Sequence, residues 1–188
     1  MFFTRLKSNL AFIVSGLTLA LLSACGGGGT TTAPVTTQIV LSSSSGTLSR
    51  YQGAWGACGI VTDTTSTSRS GRAGFAFAPT TSATIIPGTI SVALYASTDC
   101  SGSVQSSGSN RFTATYISSA NTVSTASDSV NVVFSGTADR LSIQEYNAAT
   151  GALIDTAQTQ YAAFSNGFSE LRIRSTPVFS STNVVLRR

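Results

Sequence analysis

Phe112-Thr113-Ala114-Thr115-Tyr116 sets an apolar or aromatic side chain at every second position and a hydroxyl between. Successive side chains of an extended strand point to opposite faces, so this stretch offers one face to a core and one to water. The alternation recurs in Phe75 and Phe77, in Val92 and Leu94, in Val130, Val132 and Phe134, and in Leu141 and Ile143. Other runs rich in β-branched and aromatic residues predict strands over 38–43, 48–60, 151–163, 166–175 and 182–187, nine or ten in all. Turn chemistry separates them at Pro87-Gly88, Ser101-Gly102, Ser119 to Asn121, Gly136, Thr150-Gly151 and Asn166-Gly167. Tyr146 to Asp155 reads as a hairpin closed near Gly151. Nothing after the leader holds a helical apolar period. The expected fold is therefore all-β, either a single antiparallel meander barrel or a two-sheet sandwich with one disulfide.

The amino-terminal end follows different rules. Met1 to Asn9 carries Arg5 and Lys7 and no acid, and Leu10 to Leu22 is a mainly apolar run of 13 residues. That run is short of the roughly 20 residues a membrane-spanning helix needs. Leu22-Ser23-Ala24-Cys25 then resembles the lipobox of bacterial lipoproteins at all four positions. The resemblance implies that residues 1–24 are a signal peptide and that the Cys25 thiol carries a diacylglycerol. It also implies acylation of the new amino group, and multiple chains make the anchor lasting where one would hold only marginally. Gly26 stands where an Asp would, by resemblance to enterobacterial sorting, retain the protein in the inner membrane, so the cell envelope and its outer membrane are the expected location. Residues 25–36 have too little apolar surface to fold and serve as a Gly/Thr tether of roughly 15–20 Å. Residues 37–188 form one domain.

Charge and cysteine usage narrow the function. The chain carries a net charge of +4, and loss of Arg5 and Lys7 leaves 9 − 7 = +2. The remaining arginines are scattered without interleaved aromatics, which argues against a nucleic-acid partner. With Cys25 lipidated, Cys58 and Cys100 form an even pair in an oxidising compartment and are expected to be bridged. The chain has no histidine, which excludes Ser-His-Asp and Cys-His nucleophile pairs and imidazole metal sites. The acids Asp63, Asp99, Asp128, Asp139, Glu145, Asp155 and Glu170 stand singly. Glu145 with Glu170 or Asp155 is the pairing a glycan-active enzyme would need. Asp139-Arg140 and Glu170/Arg172 read as surface charge pairs, and Asp99 as a turn former. No catalytic, metal-binding or cofactor-binding residue is assigned, and no cofactor is expected.

Tyr51-Gln52-Gly53-Ala54-Trp55 carries a further resemblance. Its Gly53-x-Trp55 is similar to the opening of lipocalins and avidins. That likeness implies that Trp55 packs across the closed end of a barrel, under an arginine from a late strand that Arg172 or Arg174 would supply. The chain lacks the mid-chain Thr-Asp-Tyr segment and the long C-terminal helix of lipocalins. Tyr51-x-Gly53-x-Trp55-x-x-Cys58 with Asp99-Cys100-Ser101-Gly102 resembles a set of uncharacterised bacterial lipoproteins, and that likeness implies no activity. Trp55 and Cys58 are three apart and face opposite sides of a flat strand, so the disulfide is expected outside the core unless Gly56 or Gly59 carries a bulge. Trp55 itself is read as a core residue beside the bridge, with ligand contact as the alternative.

Three functions remain. A membrane-anchored envelope lipoprotein with a non-catalytic structural or protein-interaction role asks for nothing more than the anchored domain. A lipocalin-like carrier of a small apolar ligand asks for an internal hole. A glycan-active enzyme asks for the carboxylate pair. Phe75, Phe77, Phe112, Tyr116 and Phe134 are expected to fill the interior rather than line a cavity.

Overall fold

The computed structural model describes residues 36–61, 68–120, 124–125 and 131–188. Cys25, the leader, the tether up to residue 35, Asp63, Asp128 and Val130 lie outside them. The elements are β1 (Thr37–Leu41), a 3-10 turn (Leu48–Arg50), β2 (Gly53–Ile60), β3 (Ser70–Phe77), β4 (Ile85–Tyr95) and β5 (Val104–Ala120). They continue with β6 (Ser124–Thr125), β7 (Val132–Gly136), β8 (Ala138–Asn147), β9 (Gln158–Ser165), β10 (Glu170–Arg174), β11 (Val178–Phe179) and β12 (Leu186–Arg187).

Eight strands close into an antiparallel barrel in the order β10-β12-β2-β3-β4-β5-β8-β9. This settles barrel against sandwich. Hydrogen bonding around the ring is uneven. From β2 through β9 the strands pair over long registers, whereas β12 meets β10 at two residues and β2 only at Gly56, opposite Arg187. A closed ring leaves no free sheet edge where it is fully paired, but this seam is held by very few backbone bonds.

The Phe112-Ala114-Tyr116 face points inward as its alternation requires, with Phe112 and Ala114 buried. The register between β5 and β8 then slips between Tyr116 and Ser118. This bulge resets the alternation, so that Ser119 lies opposite Asp139 on the inward side. At Gly88 any side chain would strike the Phe112 ring, 2.3 Å from an ideal Cβ. The glycine lets that ring lie flat against the wall.

Several predicted strands are shorter in the structure. The 48–60 stretch begins as a 3-10 turn and becomes β2 only at Gly53. The 151–163 stretch is mostly loop before β9, with a short hairpin held by Asn147 N–H to Ala152 O at 2.8 Å and Gly151 N–H to Asn147 O at 2.9 Å. The 166–175 stretch opens with a turn, and 182–187 contributes only Leu186–Arg187. In each case turn residues replaced ladder pairing.

The expected 38–43 strand is outside the barrel. β1 pairs in parallel with β7, and β6 in parallel with β11, as two small sheets. The β1–β7 sheet covers a second apolar cluster of Leu41, Phe134, Ala138, Ala163 and Phe179. Phe134 therefore fills this outer layer and not the barrel interior, a correction to its expected place. The chain leaves the ring after β5 and rejoins it at β8, with β7 paired to β1 outside it.

Cys58 and Cys100 are bridged. β2 and β3 stay in continuous register from Gly53 to Ile60, so no bulge intervenes at Gly56 or Gly59. The bridge lies on the outer wall, opposite in parity to the buried Trp55. There Ser70 Oγ accepts the Cys100 N–H at 2.9 Å, fixing the 96–103 loop against β3.

Candidate functional site

The closed end of the barrel is built around Tyr51 and Trp55. Gly53 takes φ +110°, which favours glycine, while a Cβ there would meet nothing within 4 Å. Backbone conformation, not space, accounts for the glycine in Gly53-x-Trp55. Trp55 is 1% exposed, and its Nε1 donates to the Tyr51 carbonyl at 2.6 Å. Around it Tyr51 and Phe164 stand 4.8 Å apart, Trp55 and Phe164 5.8 Å, and Phe77 and Phe112 5.2 Å between ring centroids. Leu48, Leu171 and Leu186 complete this floor.

Arg188 lies over the Trp55 ring, 4.4 Å from its centroid, and its Nη2 donates to the Arg50 carbonyl at 2.6 Å. Arg188 takes the place expected for Arg172 or Arg174. The cause is register: Arg187 pairs with Gly56, so the next residue reaches Trp55. Arg172 instead faces outward from β10 and is buried, with its Nη1 donating to Ser165 Oγ at 2.6 Å and standing 3.5 Å from Glu170. Its guanidinium is 5.5 Å from the Phe134 ring. Arg174 is exposed at the strand end. The Glu170/Arg172 pair is thus largely covered by the outer layer rather than a surface pair. Partial burial opposes ionisation of Glu170, but hydrogen bonds from Ser165 and Arg187 and the nearby arginine charges outweigh it and hold the carboxyl below its usual range.

Asp139 is likewise not paired with Arg140 at the surface. It is fully buried, and Oδ2 accepts from Ser44 N–H at 2.7 Å and Tyr51 OH at 2.6 Å. Oδ1 accepts from Ser119 Oγ at 3.1 Å, with Tyr116 OH 3.0 Å from the same Ser119 hydroxyl. A buried carboxylate is tolerated when its lone pairs are met in this way.

Burial, and then the Asp139 charge, push the Tyr51 phenol well above 10.0. The native state therefore keeps this proton at a pH where the unfolded chain has lost it. The stability Tyr51 contributes is fully present below about pH 10 and falls as pH rises beyond it. Alkaline denaturation of Tyr51→Phe should show a shallower decline above pH 10 than the native chain, as measured by urea midpoints across pH.

Further along the barrel axis the inward residues become small. Ala57, Ala73, Val92 and Gly108 align across β2 to β5, followed by Gly59, Gly71, Leu94 and Ser106. Ala57, Gly59, Ala73, Phe75, Val92, Leu94 and Gly108 are only half-buried. A Cβ on Gly59 would meet nothing within 4 Å. The lumen thus has an aromatic floor and, at its other end, smaller and partly exposed side chains, with Gly71 covered by Leu94 and Val61. A recess of about 780 Å³ is lined by β2–β5 residues of both faces, Ala57, Ala73, Val92 and Gly108 among them, beside Arg72 and Arg187, and one of about 520 Å³ separates β1 from the β9–β10 turn.

Glu145 and Glu170 do not assemble. Glu145 faces into the lumen opposite Phe112, whereas Glu170 precedes the inward Leu171 and points outward, so the wall stands between them. Asp155 is in the β8–β9 loop, accepting from Thr156 N–H at 2.8 Å. Asp99 accepts from Ser101 N–H and Oγ at 3.2 and 2.7 Å and does shape a turn. Among the described residues no group of three or more His, Cys, Asp or Glu is placed to hold a metal. Sequence reasoning missed Arg188, Asp139 and Ser119 as parts of the closed end. Only Tyr51-x-Gly53-x-Trp55 marked it, because the others arrive through pairing partners far along the chain.

No protein-family model, curated protein or solved structure matches this chain.

Proposed function

We propose that this chain binds a small apolar ligand in the open half of its barrel and is held at a bacterial membrane by lipid on Cys25. The observation that carries the binding reading is the change in side-chain size along the axis: large aromatics plug one end, and half-exposed alanines, glycines and valine line the other. Pockets for small apolar molecules are concave, mostly apolar and carry few polar groups. The outward face carries Arg72, Arg111 and Arg140, each of which would cost about 2–4 kcal/mol in the middle of a bilayer. An aqueous barrel beside the membrane fits that face better than one spanning it. A docking role in the envelope is the second reading, favoured by exposed Val40 and Val133 on the outer sheet.

The test is fluorescence of N-phenylnaphthylamine, an apolar reporter, with the full chain. Binding is expected, lost in Ala73→Trp, whose indole fills the lumen, and retained in Ala93→Trp on the outer wall. Equal binding by all three proteins would sink the carrier reading. For the anchor, Cys25→Ser is expected to move the protein from the membrane to the soluble fraction, and a variant still found with lipid attached would end that assignment.

A further inference from the structure

Asn110 stands inward on β5, opposite Ile90 on β4 and Asn147 on β8. It is 6% exposed, and its Oδ1 has no hydrogen-bond partner. An acceptor buried without a partner costs about 1–3 kcal/mol, so the position is unfavourable unless something donates to it. Its inward neighbours Val92, Gly108 and Phe75 are half-buried, so the space beside it is reached from the mouth. Asn147, opposite on β8, does not donate to it either: its Oδ1 accepts the N–H groups of Ala149 and Thr150 at 3.0 and 2.9 Å, and its amide nitrogen makes no bond to Asn110 Oδ1.

Glu145 shares that inward face. It is half-buried on β8, one inward step from Asn147, and no donor meets its carboxylate among the described residues. The nearby arginines Arg72, Arg111 and Arg140 occupy outward positions of their strands. The mouth is therefore two-sided. Ala57, Ala73, Val92 and Leu94 give an apolar side on β2–β4, and two unmet acceptors, one of them anionic, give a polar side on β5–β8.

We infer that Asn110 and Glu145 select the ligand's head group: an apolar chain ending in a hydrogen-bond donor, with a protonated amine preferred over a hydroxyl and an anion rejected. This rests on the lumen being the binding site. Both acceptors suit an ammonium, which brings several N–H donors and the charge opposite to Glu145. A hydroxyl satisfies Asn110 alone, and a carboxylate would face Glu145 with like charge.

Titration calorimetry of the full chain with decylamine, decanol and decanoate tests this, since the three share one apolar body. The expected order is decylamine, then decanol, with decanoate weakest. Asn110→Leu should weaken decylamine and decanol by about tenfold or more. Glu145→Gln should weaken decylamine by a similar factor and leave decanol unchanged, and it perturbs a half-exposed site should Asn110→Leu fail to fold. Decanoate binding as tightly as decylamine, or decylamine affinity unchanged in both variants, overturns the head-group assignment while the lumen stands. Failure of all three to bind, or binding that Ala73→Trp leaves intact, overturns the lumen reading as well.

Discussion

Trp55→Ala is expected to cost about 3–5 kcal/mol, the range for deleting a large buried aromatic. The indole is 1% exposed and meets Phe164 within the floor cluster, so truncation leaves a void that strands fixed by the ring cannot easily close. It also frees the Tyr51 carbonyl from its 2.6 Å bond to Nε1. Tyr51 in turn anchors Asp139, so the loss spreads into the hydrogen-bonded network below. Arg188→Ala is the informative companion. Its guanidinium stacks on the same ring but is exposed, and a cation over an aromatic face at such a site contributes only about 0.5–1 kcal/mol. Urea denaturation of the two variants should show the indole dominating by several-fold. Equal losses would mean that the arginine closes the seam between β12 and β2 and that the floor packing is secondary.

Joint replacement of Cys58 and Cys100 by serine should lower stability by about 4 kcal/mol, from the chain-entropy cost of the loop they close. Their sequence separation is 42. For a domain of this size that corresponds to a fall in melting temperature of roughly 10 °C. The bridge is on the outer wall, away from the aromatic floor, so native packing should survive its loss and near-UV circular dichroism of the tryptophan should be preserved. Melting unchanged by the substitution would show that the 96–103 loop is held by Ser70 and its neighbours alone. The two losses should add, because Trp55 and Cys58 point to opposite faces of β2 and share no partner.

The period-two faces and the side of the wall taken by the disulfide were legible locally, whereas the charge pairs Asp139-Arg140 and Glu170/Arg172 were not. Phe112-Thr113-Ala114-Thr115-Tyr116 alternates in the structure as in the sequence, and the three-residue offset of Trp55 and Cys58 placed the bridge outside the core. Boundaries fared worse where polar turn residues ran into β-branched ones, as at 151–157 and 182–185, because propensity does not say which residues find a ladder partner. Among site residues, Trp55 announced its end of the barrel through Gly53. Asp139 and Asn110 gave no sign, since a lone Asp or Asn beside an arginine reads as surface until the fold decides which face it takes.

The strand period, the cysteine pair and the glycine ahead of Trp55 are properties of neighbouring residues, so the linear chain alone determined an all-β body with an external bridge. Which arginine caps the tryptophan, which phenylalanine leaves for an outer layer, and which acid and amide end up facing inward were decided only by tertiary structure. The reason is geometric: a bulge after Tyr116 and a two-residue closing strand set side-chain parity across strands distant in sequence, and no local pattern encodes that.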